Sequence, residues 1–471
     1  MIGRSSEARY LLELTDKEDA QLVAVYGRRR VGKTYLVRHV LEKKMLFEHT
    51  GLYHVSLGEQ LEAFRDSLLR NGARDVAVLK SWREAFNALA KFISSRKNGR
   101  RVIFLDELPW MDTPKSGFVA AFEHFWNGWA SAQSHLLIVF CGSATSWIIN
   151  KVLRNKGGLH NRVTGTIALQ PFQLAECREY ANKSGLAYTE QDICDAYMVF
   201  GGIPYYWSLL RKGESLAQSI DRLLFALNGS LRNEFSELYA SLFNHEENYS
   251  RLVSVLATRK SGMSLAEIST ETKQSKGGGL TKQLEELEQC GFIRRYISWG
   301  KRKRDTLYQL MDNFTLFHLA FIADNPNPDP HFWSKSLHTA QVYAWRGLAF
   351  ERVCLQHVEE IKHALGISGV LTSVFAWRHI ADDVYPQGAQ VDLIIERADR
   401  VVNLCEMKWT ETPYAIEKSY YEQLQQKIAA FRTVTGYRHA IHLTLVSSCG
   451  VIQNKYRSIV QSEICLEQLF Q

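Results

Sequence analysis

Apolar and polar positions along this chain follow two periods, one near two residues and one near 3.6. Residues 21–26 (QLVAVY) form a short, β-branched apolar run, the pattern of a buried strand. A helix-compatible stretch, YLVRHVLEKK, follows at 35–44. Apolar runs at 101–105 (RVIFL) and 134–141 (SHLLIVFC) predict two further strands. From Pro171 to about Tyr239 apolar residues recur at three- and four-residue spacing, as at Ile220, Leu223, Leu224 and Leu227, which predicts a helical segment. Residues 248–310 then read helix, helix, helix, hairpin. Tyr249–Thr258 is amphipathic, Ser264-Leu-Ala-Glu has the form of a capping box, and glycines 277–279 lead into LTKQLEELEQC, which Gly291 stops. Phe292–Trp299 and Thr306–Leu310 are expected to pair around a basic tip, Lys301, Arg302, Lys303 and Arg304.

Residues 324–333 (DNPNPDPHFW) are rich in Asn, Pro and Asp and make a linker signal. Beyond it a helix is predicted over 344–365, with Leu348, Val353, Leu355 and Val358 at helical spacing. Two strands of a hairpin follow, at 390–396 (QVDLIIE) and 401–409 (VVNLCEMKW). The expected organisation is therefore 1–170, 171–244, 245–323 and 334–471. A length of 471 residues suggests about three domains.

Composition narrows the classes. With 46% hydrophobic and 23% charged residues and abundant aromatics, a sizeable core is available and long disorder is disfavoured. The net charge of +7 permits nucleic-acid binding without showing it. Cys141, Cys177, Cys194, Cys290, Cys354, Cys405, Cys449 and Cys465 stand singly with no CxxC pair, so neither a zinc ribbon nor a redox dithiol is suggested. The opening MIGRSSEARY carries no apolar h-region, and no run is long enough to span a bilayer. The default expectation is a reduced, cytoplasmic protein with no membrane partner.

The first chemical motif lies between strand 21–26 and the helix after it. Gly27-Arg28-Arg29-Arg30-Val31-Gly32-Lys33-Thr34 is a complete G-x-x-x-x-G-K-T phosphate loop in its strand–loop–helix context, and Tyr35 follows it. Backbone amides close around phosphates at the positive end of the next helix. Lys33 is expected to reach the β/γ-phosphates, and the Thr34 hydroxyl to hold Mg²⁺. About 70 residues on, the strand at 101–105 ends in Asp106 and Glu107. Asp106 suits the Mg²⁺ shell, and Glu107 suits a base that polarises the attacking water. Ser143, past the tip of the third strand, has two readings: a contact to the γ-phosphate or attacking water, or a helix cap.

On these residues the N-terminal half resembles the archaeal and bacterial P-loop ATPases of the AAA+/STAND group, related to the origin-recognition ATPases. Five features match in order: Gly3-Arg4-x-x-Glu7, the phosphate loop, Leu105-Asp106-Glu107, Gly142-Ser143, and Gly201-Gly202-Ile203-Pro204. The resemblance implies ATP as ligand, a helical lid over 171–244, and an adenine framed by the first and last features, Pro204 included. It also implies that Arg162 acts as an arginine sensor or finger, the alternative being an ordinary ion pair. A finger acting in trans would require a homo-oligomer.

The 245–323 pattern is similar to a winged helix, whose tip lysines and arginines suit DNA phosphates, although Glu285, Glu286 and Glu288 suit phosphate poorly. In the C-terminal hairpin, Glu406 and Lys408 are two apart and share a face. Carboxylates there can hold Mg²⁺, with Lys408 orienting water or stabilising developing charge. Glu351 on the preceding helix can complete the shell. A solvated cross-strand ion pair is the plain alternative. With Asp392, this is the Asp…Glu-x-Lys signature, and residues 340–471 resemble the restriction-endonuclease-like superfamily and the nuclease-like domain fused to this ATPase family. Tyr420-Tyr421-Glu422-Gln423 is similar to the downstream helix of such nucleases, with Gln423 as an accessory. The expected fold is thus α/β: an AAA+-type P-loop ATPase with helical lid, a winged helix, and a C-terminal restriction-endonuclease-like domain. The expected function is an ATPase whose nucleotide state controls Mg²⁺-dependent action on DNA. Its rivals are a STAND-type switch with a non-cleaving binding module, and a DNA-stimulated motor.

Overall fold

The computed structural model describes the chain except residues 97–100, 155, 156, 158, 160, 244, 326–328 and 384, and the side chain of Lys303. The chain divides into two compact units: Met1–Pro171 with Ser241–Phe243, and Phe172–Ala240 with Asn244–Gln471.

The first unit is built on a five-stranded sheet. Its strands are β1 (Gln21–Tyr26), β2 (Met45–Thr50), β3 (Arg101–Asp106), β4 (Leu136–Gly142) and β5 (Gly165–Ala168), in the order β2-β3-β4-β1-β5. Every neighbouring pair is parallel. Such a sheet is covered on both faces, which is why β1 and β4 read as unbroken apolar runs. Helices Leu57–Arg70, Trp82–Ser94 and Phe118–Gly128 supply one cover, with Phe64, Trp82, Phe86, Phe118 and Phe122 almost wholly buried. Strand β4 begins at Leu136, two residues later than its apolar pattern suggests, because His135 takes a left-handed conformation (φ 56°).

The second unit starts with helices Leu174–Lys183, Glu190–Phe200, Pro204–Ser208 and Leu216–Ile220, the last continuing as a π-helical turn to Phe225. The helical pattern at 220–227 holds for Ile220, Leu223 and Leu224, which are buried, but Leu227 is 78% exposed. The helix ends before it, where Ala226 turns extended. Next come helices Glu246–Ala257, Leu265–Thr272 and Gly278–Gln289, with a three-stranded antiparallel sheet β6 (Met263–Ser264), β7 (Ile293–Tyr296) and β8 (Leu307–Leu310), ordered β6-β8-β7. The Ser264–Glu267 capping box is present, and Gly291 takes φ 75° at the helix end. Strand β7 stops at Tyr296 rather than Trp299, since Ser298 instead pairs with Ala376.

The C-terminal sheet holds β9 (Thr372–His379), β10 (Ala389–Arg397), β11 (Val401–Lys408), β12 (Ala440–Ser447) and β13 (Ser462–Cys465), in the order β13-β12-β11-β10-β9. Strands β9 to β11 are antiparallel neighbours, and β11 to β13 are parallel. Helix Lys418–Thr435 packs Leu424 and Phe431 on one face against Ile394, Leu404 and Leu445. The helix expected over 344–365 is two, Ala340–Gln356 and Val358–Ala364, broken at His357. There the imidazole meets Val353 O through Nδ1 (2.8 Å) and accepts from Leu174 N through Nε2 (3.1 Å). Of the apolar positions expected inside, Val353 and Leu355 are buried, whereas Leu348 is 42% exposed.

These segments are stitched together. Trp299 N donates to Ala376 O (2.8 Å), and its ring meets Phe375 and Phe431 edge-on. Trp333, expected in the linker, is buried among Phe317, Phe321 and Trp345. Residues 326–328 of that linker lie outside the described residues. Arg346 bridges Asp195 (3.2 Å) and Glu411 (3.1 Å). Burial raises the Asp195 carboxyl from an ordinary 3.8 to about 6, against the pull of Arg346. The folded protein therefore keeps a proton that the unfolded chain releases between about pH 4 and 6. Stability from this group falls as pH rises through that window and levels off above it. In Asp195→Asn that decline should disappear, as read from urea midpoints at pH 4 and pH 7.

Candidate functional site

Parallel strands bring their carboxyl ends to one edge, where ligands of such sheets bind. At this edge stand the loop after β1, the tip of β3 and the tip of β4. Gly27 has φ 142°, and a Cβ on it would lie 2.2 Å from Leu169 O, so only glycine fits. Arg30 (φ 68°) and Gly32 (φ 93°) are left-handed and curl the loop into helix Lys33–Leu41. The first amides of that helix have no intrahelical acceptor and form an anion site. Lys33 is buried, and its Nζ donates to Gly27 O and Arg28 O, both at 2.9 Å. The ammonium thus lies within the curve of the loop. Arg28 and Val31 are buried, Arg29 and Arg30 half-buried, and Tyr35 is exposed, stacked on His39.

Thr34 Oγ1 donates to Asp106, 3.0 Å from Oδ2 and 3.2 Å from Oδ1. Asp106 also accepts from Glu107 N (3.0 Å) and from the Cys141 thiol (2.6 Å). Burial and the Asp106 charge push the Cys141 thiol up, which keeps it a neutral donor. Glu107 takes a left-handed conformation (φ 48°), costly for a residue with a side chain and frequent at functional sites. Its carboxylate accepts from Ser143 N (2.8 Å) and Ser143 Oγ. The serine thereby bonds the glutamate; the short helix after it, Thr145–Trp147, has no side-chain cap.

A second constellation lies in the other unit. Glu351, Asp392, Glu406 and Lys408 line one cavity of about 400 Å³, with Lys260, Gln423 and Lys427. The β10–β11 ladder ends at Leu393 opposite Cys405, so Asp392 and Glu406 stand just past its last pair. A register shift between Val391 and Ile394 accompanies this end. Glu406 is ion-paired with Lys427 (2.5 Å) and accepts from Tyr420 OH (3.3 Å). Asp392 accepts from Gln390 Nε2 (2.5 Å). Burial, then the Asp392 charge, raises the Glu351 carboxyl. Burial lowers Lys408, whose ammonium lies 4.3 Å from the Tyr420 ring centre.

Hard oxygens suit magnesium, which takes few protein ligands besides water and phosphate. The touching Thr34 hydroxyl and Asp106 carboxylate fit that requirement, as does the Asp392–Glu406 pair. Among the described residues no three His, Cys, Asp or Glu side chains are gathered as a metal-holding set, so Glu351, Asp392 and Glu406 share a cavity without forming one.

Residues 1–210 match a family described as an ATPase domain predominantly from Archaea. The phosphate loop and the tips of β3 and β4 all lie within this match to an ATPase domain. An uncharacterized protein of Methanocaldococcus jannaschii is 23% identical over 431 residues, covering 90% of this chain and 91% of its own. An uncharacterized ATP-binding protein of the same organism is 40% identical over 45 residues, 10% of this chain and 76% of that protein. The fold is similar to the Walker-type ATPase of Pyrococcus abyssi, with TM-score 0.50 and 20% identity over 68% of this chain and 96% of that one.

Of the residues expected at the ATPase site, the structure joins Gly27, Gly32, Lys33, Thr34, Asp106, Glu107 and Ser143. Arg4 donates to Gln170 O (2.6 Å) within the same unit. Arg162 is exposed on the turn before β5. Pro204 opens the Pro204–Ser208 helix of the second unit. Sequence reasoning missed Cys141 at the first site and Lys260 and Lys427 at the second. No helix among the described residues is long and apolar enough to cross a membrane.

Gly27→Ala should lose ATP binding and destabilise the first unit by about 1–3 kcal/mol, the range for forced overpacking. Nucleotide titration and thermal unfolding would check this; wild-type affinity and stability would contradict the steric argument.

Proposed function

We propose that this chain hydrolyses ATP at the Lys33 site, and that its nucleotide state controls a DNA-directed, magnesium-dependent nuclease-type site in its C-terminal part. The ATPase half rests on the family match and the Thr34–Asp106–Glu107–Ser143 geometry. The second half rests on one observation: a helix and two hairpin strands deliver Glu351, Asp392, Glu406 and Lys408 to a single cavity. Residues 245–323 are read as a winged helix. Glu286 and Glu288 in its third helix are bonded within the segment, to Tyr249 and Arg295.

At the ATPase site the loop amides and Lys33 bind the β/γ-phosphates, while Thr34 and Asp106 would hold magnesium. Glu107 accepts the proton of the attacking water, after exchanging its bonds from Ser143. In the C-terminal cavity Asp392 and Glu406 would hold the metal, with Glu351 beside them. Bound magnesium supplies Lewis acidity and a more acidic water. Lys408, whose pKa burial lowers, orients that water or steadies the developing negative charge.

The Lys427–Glu406 ion pair favours a second reading, because it engages a carboxylate the metal needs. In that reading the ATPase is a switch and the C-terminal part binds without cleaving.

Lys33→Ala should abolish ATP binding. Glu107→Gln should keep binding and lower turnover by about 10²–10⁴, the usual worth of a general base. Supercoiled DNA incubated with Mg²⁺ or Mn²⁺, with and without ATP, should be nicked by the wild type and not by Asp392→Ala or Lys408→Ala. Intact ATP turnover with no cleavage in either metal would leave the switch.

A further inference from the structure

The cavity holding Glu351 and Glu406 adjoins, at Gln390 and Asp392, a second hollow of about 120 Å³. Both hollows share those two residues, so together they make one groove. One wall is the 246–310 segment, through Lys260, Arg259 and Ser298; the other is the C-terminal sheet, through Arg378, Gln390 and Asp392.

The cations of this groove differ in what they already do. Lys427 is paired with Glu406, Arg259 with Glu267 at 2.5 Å, and Lys408 lies over the Tyr420 ring. Lys260 and Arg378 are exposed, and among the described residues their side chains make no hydrogen bond or ion pair. One stands in each hollow, and the hollows meet at Asp392.

Both are set on fixed backbone. Lys260 O accepts from Arg352 Nη2 (2.7 Å) and from Gln309 Nε2 (2.5 Å). Arg352 is buried and follows Glu351 on the same helix, so the element that brings a carboxylate to the cavity also fixes the lysine. Arg378 is held by its antiparallel pairing with Gln390. Two cations free of ion pairs on opposite walls, one in each of two adjoining hollows, match a ligand with negative charges repeated along its length.

We propose that this groove is the track of a DNA strand, with Lys260 and Arg378 binding its phosphates on either side of Asp392. This names the binding track of the nuclease-type site and rests on that reading only for what happens at Asp392. It moves strand binding away from the tip residues Lys301, Arg302 and Arg304, which do not line the groove.

The test is fluorescence anisotropy of a labelled single-stranded oligonucleotide on the full chain, with Ca²⁺ replacing Mg²⁺ and salt varied. The Lys260→Ala/Arg378→Ala double variant should weaken binding about tenfold. Its slope of log affinity against log salt should fall by about 1.4, or ~0.7 for each phosphate no longer neutralised. Lys260→Arg, which keeps the charge on a different side chain, should bind as wild type, which a merely structural role would not predict. Lys301→Ala/Arg304→Ala should bind as wild type. Wild-type affinity and slope in the double variant, or weakened binding in the tip variant instead, would overturn the proposal. If the wild type binds through Lys260 and Arg378 but cleaves no DNA, the groove stands and the nuclease reading alone falls.

Discussion

Asp392 and Glu406 carry like charge past the end of an antiparallel ladder, in a half-buried setting. Facing carboxylates repel, and removal from water raises the cost of their charge. The surrounding structure answers that repulsion. Helix Lys418–Thr435 brings Lys427 and Tyr420 to Glu406, and β10 brings Gln390 to Asp392. Helix Ala340–Gln356 does the opposite and adds a third carboxylate, Glu351. A unit under selection for stability alone would have no reason to gather these groups. Their gathering in one cavity is the physical basis for the charged ligand proposed there.

The ATPase site meets a similar problem by different means. Its acidic residues sit where parallel strands end, so the sheet itself sets their spacing. The Thr34 hydroxyl, an amide and a thiol all donate to Asp106. Glu107 is held by Ser143 in a backbone conformation that few residues adopt without an external constraint. Small donors hold the carboxylates of the first site, whereas a long cationic side chain, Lys427, reaches Glu406 in the second.

What could be read from the sequence divides along the same physical lines. Local features were legible: the phosphate loop, the apolar strands, the Ser264 capping box and the hairpin bearing Glu406 and Lys408. Each depends on neighbours a few residues apart. Strand β2 was not, because Glu48 and His49 interrupt its short apolar run. Nor were the break at His357, whose imidazole bonds an amide 183 residues earlier, or the burial of Trp333. Leu227 and Leu348 show that a periodic apolar residue need not be covered when its helix ends early or turns that face outward. Lys260 and Lys427 carried no motif; only long-range packing brings them to the carboxylates. Cys141 lies in the apolar run of β4, and its donation to Asp106 appears only when β3 and β4 are laid side by side.

The hydrogen bond from Leu174 N to His357 has a consequence for how the molecule is made. Ribosomes release chains from the N-terminus, and domains generally fold as units while they emerge. Nearly all of the first unit lies within residues 1–171, so its sheet can close early in synthesis. The second unit opens at Phe172, yet its first helix takes a partner for its opening amide from His357, and Arg178 donates to Phe470 O. That unit closes only after the last strand has left the ribosome. A nascent chain would therefore carry a closed phosphate loop well before it owned a completed groove.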